Sequence, residues 1–361
     1  MNNQPTTPAA SRGNGSALLT ILAIGAIVGL LAMAFAWTAG WLSPDRVTPA
    51  RVVDKLAPPK GPVPGYRRNH AKGICFSGTF EANGVGTELS KAQVLAKGSY
   101  PVTGRFNLAG PNPAMPDGTG RVRGMGVRVQ APDRQEWRMA LITAPFFAAS
   151  TVKDFTDFQT VSAKKDPEAT KQFAASHPAM VAFGAWAKSA PYTESFVQDR
   201  FNSINSFTFT NAAGRDQVVR WSFVPVATPV AIEPADLKNI DPDFLEKDIV
   251  ERVAIGPQRW KLVVTLANPG DVTADPSKVW PEDRRKVEVG SLAVSKVEPE
   301  SDGPCRDLNF DPTVLPSGMT TSDDPFPAAR SAAYAVSYNR RTAEEKQYPR
   351  PNSTVSEGAN P

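Results

Sequence analysis

The chain of 361 residues is 41% hydrophobic and 21% charged, with 34 prolines and 26 glycines; it can bury a sizeable core, in one large domain or two smaller ones, but is punctuated too often for a long helical bundle. Lys and Arg number 40 against 36 Asp and Glu, a net charge of +4, and no basic run is interleaved with aromatics, so the expectation is no nucleic-acid partner. Two cysteines, Cys75 and Cys305, and two histidines, His70 and His177, exclude a disulfide framework, a cysteine-rich metal site and a multi-histidine metal centre.

Residues 1–16 are a polar tail with one charge, Arg12. The uncharged run ALLTILAIGAIVGLLAMAFAWTAGWL (17–42) covers the roughly 20 residues needed to cross hydrocarbon. Trp37 and Trp41 fall near its end, where interfacial aromatics belong. It reads as an uncleaved, single-pass membrane anchor. The competing reading is a signal peptide cut near the small residues of 32–36; the run is longer than a usual signal core, and the segment before it is weakly basic. Arg46, Arg51, Lys55 and Lys60 follow the span and only Arg12 precedes it, which by the positive-inside tendency favours a cytoplasmic body. The export-like N-terminus favours a periplasmic one, and that is the expectation taken. Gly25 and Gly29 form a G-xxx-G pair through which two helices could approach, a route to a homodimer.

Residues 43–65, rich in proline and charge, read as a linker or docking arm. Short alternating segments follow: 104–110, 120–132 and 136–143 read as strands. The stretch 150–200, with Phe155, Phe158, Phe173 and Trp186 among Ala and Lys, is helix-like. Residues 201–226 predict a hairpin turning at Asn211–Asp216, and 260–269 and 286–297 predict two more strands. This is an α+β, mainly β pattern: an antiparallel β-barrel with attached helices. A tail from 342 to 361 is polar and expected to be disordered.

Two constellations carry chemistry. In YRRNHAKG (66–73), His70 follows Arg67 and Arg68. It could be a general acid/base beside an anionic ligand, or simply a partly buried histidine bonded to backbone. In DDPFPAARSAAYAVSYNRR (323–341), Arg330 and Tyr334 stand four apart on one helix face. A guanidinium against a phenol favours the phenolate, a hard ligand suited to ferric iron; an ordinary cation–aromatic contact fits the same spacing. His177, before Pro178 in a polar stretch, reads as structural, and whether Cys75 and Cys305 pair is left open.

The text around these residues resembles the heme catalase family from about Tyr66 to Arg341. The segments carrying the likeness, in order, are R-x-x-H-A-K-G (67–73), RFNLAG with VRGMGVRV, TAPFF (143–147) against the family's N-T-P-x-F-F, and NSFTFTNAAGRDQVVRWSF. They continue with DPSKVWP and VEVGSL, NFDPTVLPSGMTTSDDP, and R-S-A-A-Y against R-x-F-x-Y. The short chain looks like the catalase-related peroxidases, a small branch of that family. The resemblance implies an eight-stranded antiparallel catalase-like barrel over 66–341, preceded by one transmembrane helix, and a non-covalent heme b (iron protoporphyrin IX), since no C-x-x-C-H occurs.

It further implies that His70 is the distal acid/base, that Tyr334 is the axial iron ligand and that Arg330 keeps Tyr334 ionised. Arg67, Arg105 and Arg341 would pair with the propionates, and Phe155 would line the distal pocket. Asn107 stands where the family has the serine that orients the distal histidine, and Thr143 is taken to replace its distal asparagine. With that asparagine gone, the expected activity is reduction of hydrogen or organic peroxides by an unidentified external electron donor, with weak catalase activity at most. Allene-oxide-synthase-like rearrangement of lipid hydroperoxides and a non-catalytic heme-binding barrel are the alternatives.

Overall fold

The computed structural model describes residues 14–38, 41–43, 46–58 and 60–347. The chain divides into two units, Met1–Thr48 and Pro49–Pro361. The first contains one helix, α1 (Asn14–Thr38), with an apolar stretch over Ala17–Thr38 of mean hydropathy 2.6, long and apolar enough to cross a membrane.

The second unit opens with a short helix, α2 (Pro49–Lys55), inside the stretch expected to be a linker. Ten strands follow: β1 (Gly73–Ala82), β2 (Gly98–Leu108), β3 (Arg123–Gln130), β4 (Glu136–Ile142), β5 (Phe201–Asn202), β6 (Phe207–Thr210), β7 (Asp216–Pro225), β8 (Gln258–Leu266), β9 (Lys286–Pro299) and β10 (Met319–Thr321). Eight of them, in the order β7-β5-β4-β3-β2-β1-β9-β8, form a ring that the antiparallel pairing of β7 with β8 closes; β6 and β10 extend from β7. Between β4 and β5 lie α3 (Val152–Ser162), α4 (Pro167–Ala175) and α5 (Pro178–Ser189), while α6 (Phe244–Ile255) precedes β8. The last helix among the described residues, α7 (Phe326–Ala343), is followed by a 3₁₀ turn, Glu345–Gln347. The expected disordered tail therefore begins inside ordered structure, and residues 348–361 lie outside the described residues.

Alternation sorts each barrel strand into two faces. Val102, Phe106 and Leu108 of β2, Met125, Val127 and Val129 of β3, and Trp137, Met139 and Leu141 of β4 are buried in one aromatic-rich core. There Phe106 stacks on Phe196 at 5.1 Å and lies 4.6 Å from Phe76. Burying each such side chain contributes about 1.5–3 kcal/mol. The intervening residues, Arg105 and Asn107 of β2 and Gly124 and Gly126 of β3, point to the opposite face, where helices and loops cover the barrel. The register places Asn107 against Gly124 and Arg105 against Gly126. A Cβ on Gly124 would sit 2.3 Å from Asn107 Oδ1, and one on Gly126 would strike the Phe310 ring at 2.8 Å. Large polar residues on one strand thus require bare backbone on the next.

The helix starts follow local rules. Thr151 caps α3 by accepting from the Asp154 N–H, and Asp166 caps α4 just ahead of Pro167. Asp324 accepts from the Phe326 N–H as α7 begins. His177 stands just ahead of α5 without a side-chain capping bond; its ring stacks on Phe173, away from the chemistry discussed below.

Candidate heme site

A cavity of about 710 Å³ lies between the polar face of the barrel and α2, α3, α5 and α7, within the usual range for a cofactor pocket. His70, Asn107, Arg67, Arg105, Phe155, Arg330, Tyr334 and Arg341 all line it. The structure thus brings together every residue expected at the site except Thr143.

His70 has a left-handed backbone, φ +56°, a conformation that costs a non-glycine residue of order 1–2 kcal/mol. It is pinned on both sides. Its N–H donates to Asn69 Oδ1 at 2.9 Å, and its carbonyl accepts from Arg105 Nη1 at 2.8 Å. Its Nδ1–H donates to Asn107 Oδ1 at 2.6 Å, which leaves Nε2 with a lone pair. Burial pulls its pKa down; the Asn107 bond offsets part of this, and the charges of Arg105, Arg330 and Arg67 push it down again, to about 4. His70 is therefore a neutral base at ordinary pH. The Asn107 contact fixes which ring nitrogen of His70 carries the proton.

On α7, Arg330 Nη2 donates to Tyr334 Oη at 2.9 Å, the contact the i, i+4 spacing predicts. The same guanidinium donates through Nη1 to Asn205 Oδ1 at 2.7 Å, and Asn205 Nδ2 donates to buried Asp324 at 2.8 Å. Tyr334 thus ends a chain of four polar side chains reaching back to the start of its own helix. Asn205 and Asp324 carry no sequence signal of this role, because the link forms only when the turn before β6 meets the head of α7.

The third group is cationic. Arg67 and Arg105 both bind Glu300, at 3.1 and 2.6 Å. Burial alone would push Glu300 up, but the two guanidinium groups outweigh it and hold its carboxyl below the usual range. Arg67 also donates to the carbonyls of Cys305, Arg306 and Leu308, and Arg341 to that of Arg306. Burial, and next the charge of Arg67, lower the Arg341 pKa to about 9, so it stays protonated at neutral pH. Its Nη2 is buried with no hydrogen-bond partner among the described residues. Arg341 also lies 4.0 Å from Asp307, which Arg306 shares; these four guanidinium groups against the two carboxylates of Glu300 and Asp307 leave two positive charges in excess, which suits an anion carrying two carboxylates.

The loop that supplies Glu300 and those carbonyls is tied to β1 by a disulfide, Cys75–Cys305, with a Cα–Cα distance of 5.4 Å and both residues fully buried. The pairing left open by the sequence is therefore made.

Thr143 needs correction. Its Oγ1 accepts from the Arg123 backbone N–H at 3.2 Å, and it does not line the cavity. Alternation along β4 turns Ala140 and Ile142 toward the cavity instead. Without a gap, the family's N-T-P-x-F-F also falls on Ile142 to Phe147. Ile142, not Thr143, is the residue that lines the cavity.

These residues fit an iron porphyrin. A neutral imidazole and a phenol–guanidinium pair share one cavity with an under-neutralised arginine cluster, and the rest of the wall is largely apolar. The comparisons agree. The Catalase family matches residues 53–357. A catalase-related peroxidase of Synechococcus elongatus is 32% identical over 90% of this chain and 95% of its own length. One of Mycolicibacterium paratuberculosis is 29% identical over 83% and 96%. A solved bacterial catalase superposes with a TM-score of 0.70 at 18% identity, covering 82% of this chain and 62% of that one, and a fungal catalase gives 0.69 at 17%, covering 79% and 61%. The chain thus spans under two thirds of those solved chains but nearly all of the two peroxidases. A match over most of the sequence and a shared closed barrel lead to one conclusion: the chain belongs to the catalase family.

Proposed function

We propose that this chain, a peroxide-acting oxidoreductase of the catalase family, is a heme peroxidase that reduces hydrogen peroxide or organic peroxides with electrons from an external donor and has weak catalase activity at most. The observation that carries the reading is the neutral His70 sharing a cavity with the Tyr334–Arg330 pair. Tyr334 Oη would bind the iron of a non-covalent heme b, Arg330 would hold that oxygen in place through its hydrogen bond, and Arg67, Arg105 and Arg341 would hold the two propionates. When bound, the heme supplies the redox chemistry of peroxide cleavage.

The protein's own part is proton transfer. His70 Nε2 takes the proton of the peroxide and delivers it to the departing oxygen, and Asn107 keeps the ring in the tautomer that does so. Overall, ROOH takes up two electrons and two protons and leaves as ROH and water; a one-electron organic donor, used twice, supplies the electrons. A catalase cycle must instead pose a second hydrogen peroxide as reductant. Ile142 offers that molecule no hydrogen bond, so this step is the one to suffer.

The apolar helix α1 supports a single-pass anchor, and the buried Cys75–Cys305 disulfide supports an oxidising compartment, the periplasm. The test is an optical spectrum of the purified protein before and after peroxide, followed by donor oxidation and dioxygen release on the same sample. A heme band that peroxide shifts and donor restores, with little dioxygen, is the expected result. Lack of a heme band, or dioxygen as the main product, overturns it.

A further inference from the structure

Cys75 and Cys305 are fully buried, but not in the main core of the barrel. With Leu308 and Phe310 they make a small core of their own under the loop that follows β9. The loop is folded back by its own turns: the Gly303 N–H donates to the Pro299 carbonyl at 2.9 Å, and the Arg306 N–H to that of Gly303 at 3.2 Å. It also packs directly on the disulfide. The Cys305 N–H donates to Cys75 Sγ at 3.2 Å, and a Cβ on Gly303 would lie 2.5 Å from the same sulfur.

The two ends of this bond stand beside the two arginines that share Glu300. On β1, Cys75 pairs in register with Arg105 of β2. In the loop, the Cys305 carbonyl accepts from Arg67 Nη2 at 2.9 Å. Glu300 closes the circuit by accepting from both guanidinium groups, at 3.1 and 2.6 Å. The carbonyl of Arg306, next after Cys305, accepts from Arg341. One covalent bond therefore spans the frame on which all three arginines are aimed. That frame is loaded by like charge, since Arg67 and Arg105 both disfavour the charged form of Arg341. Spreading the loop away from β1 would relieve the repulsion, and the disulfide opposes it.

We infer that the Cys75–Cys305 disulfide is a positioning bond for the propionate edge of the heme: it holds loop 300–308 against β1 so that Arg67, Arg105 and Arg341 stay aimed at two carboxylates. This rests on the heme reading above and adds what keeps the group in place. The competing role is a general staple. A bond joining residues 230 apart in sequence restricts the unfolded chain and would stabilise the body without favouring one ligand over another. The two roles differ in which porphyrin they affect. Heme carries two carboxylates, whereas its dimethyl ester has the same iron and ring with no charge at that edge.

The full-length protein, loaded with heme or with heme dimethyl ester, decides between them through the rate of porphyrin transfer to excess apomyoglobin. The wild type should lose the ester about ten- to a hundredfold faster than heme, the order of one charge-assisted hydrogen bond. Cys75→Ala/Cys305→Ala, with Cys75→Ser/Cys305→Ser as a second form, should speed the loss of heme by a similar factor and leave the loss of ester nearly unchanged, so that the ratio falls close to one. Val264→Ala weakens the barrel core from β8, no residue of which lines the cavity, and should speed both losses alike. A wild-type ratio in both disulfide-free forms, or a collapsed ratio in Val264→Ala, overturns the inference. Failure of both disulfide-free forms to fold, read by circular dichroism, also overturns it and makes the bond a staple of the whole body. A wild type that takes up heme but loses heme and ester at one rate sinks the propionate assignment and the inference with it; one that takes up neither sinks the heme reading itself.

Discussion

Phe106 and Asn107 are neighbours on β2, yet they belong to different parts of the molecule. Phe106 faces the barrel interior, where the side chains of three consecutive strands are apolar and ring packs on ring. Asn107 faces the cavity, where those strands present Arg105, Asn107, Gly126, Ala140 and Ile142. The interior face needs volume and shape. The cavity face needs particular groups at particular atoms, and it accepts strained backbone at His70 and a buried Arg67–Glu300–Arg105 group to get them. The strand period of two lets one ladder serve both demands without mixing them.

Substitutions on the two faces should separate accordingly. His70→Ala carries the largest expected effect: heme is retained, but the reaction with peroxide slows by about two to four orders of magnitude, the usual worth of a positioned acid/base. Stopped-flow mixing checks it, and a rate near wild type would move the base elsewhere. Phe106→Ala does the reverse. It should cost about 3–5 kcal/mol of stability by opening a cavity in the aromatic core, read by denaturant unfolding, with the peroxide rate per folded molecule little changed. A large rate loss with little loss of stability would erase the distinction between the faces.

Acid sharpens the contrast, because the rings packed on Phe106 (Phe76, Phe196, Phe201 and Trp260) carry nothing that titrates. The His70 pKa is about 4 when folded against the ordinary 6.5 of histidine, so the unfolded chain binds the proton more readily. Stability from this site is at its full value above pH 6.5, falls as pH drops toward 4 and changes no further below that. The loss is of order 3 kcal/mol. The peroxide rate should stay level down to about pH 5 and fall with a midpoint near 4. A midpoint near 6.5 would mean that His70 is solvated and not held as described.

Much of this was legible from residue order alone. Strict alternation marked β2, β3, β4, β8 and β9, and the i, i+4 pair of Arg330 and Tyr334 marked the face of α7. β1 escaped notice because Gly78 interrupts its core-facing row of Ile74, Phe76, Phe80 and Ala82, while Cys75 is buried on the other face. α2 hid in a proline-rich stretch, and its one buried residue, Val53, gives no periodicity. Glu300, Asn205 and Asp324 act through partners 195, 125 and 119 residues distant, so no local pattern could announce them. Thr143 was misplaced by one residue, and in a strand one residue is the difference between the two faces.

That one-residue shift can be tested. Asparagine at 142 would put an amide at the cavity end of β4, within the wall that His70 shares. A hydrogen bond to a second hydrogen peroxide, worth about 0.5–1.5 kcal/mol, corresponds to a rise of about two- to thirteenfold in dioxygen release relative to donor oxidation. Asparagine at 143 would stand where the side chain meets the Arg123 backbone, outside the cavity, and the ratio should not move. Measuring both products for Ile142→Asn and Thr143→Asn therefore assigns the position. If the 143 variant gains catalase activity and the 142 variant does not, the face of β4 has been read the wrong way round, and the account of weak catalase activity that rests on Ile142 goes with it.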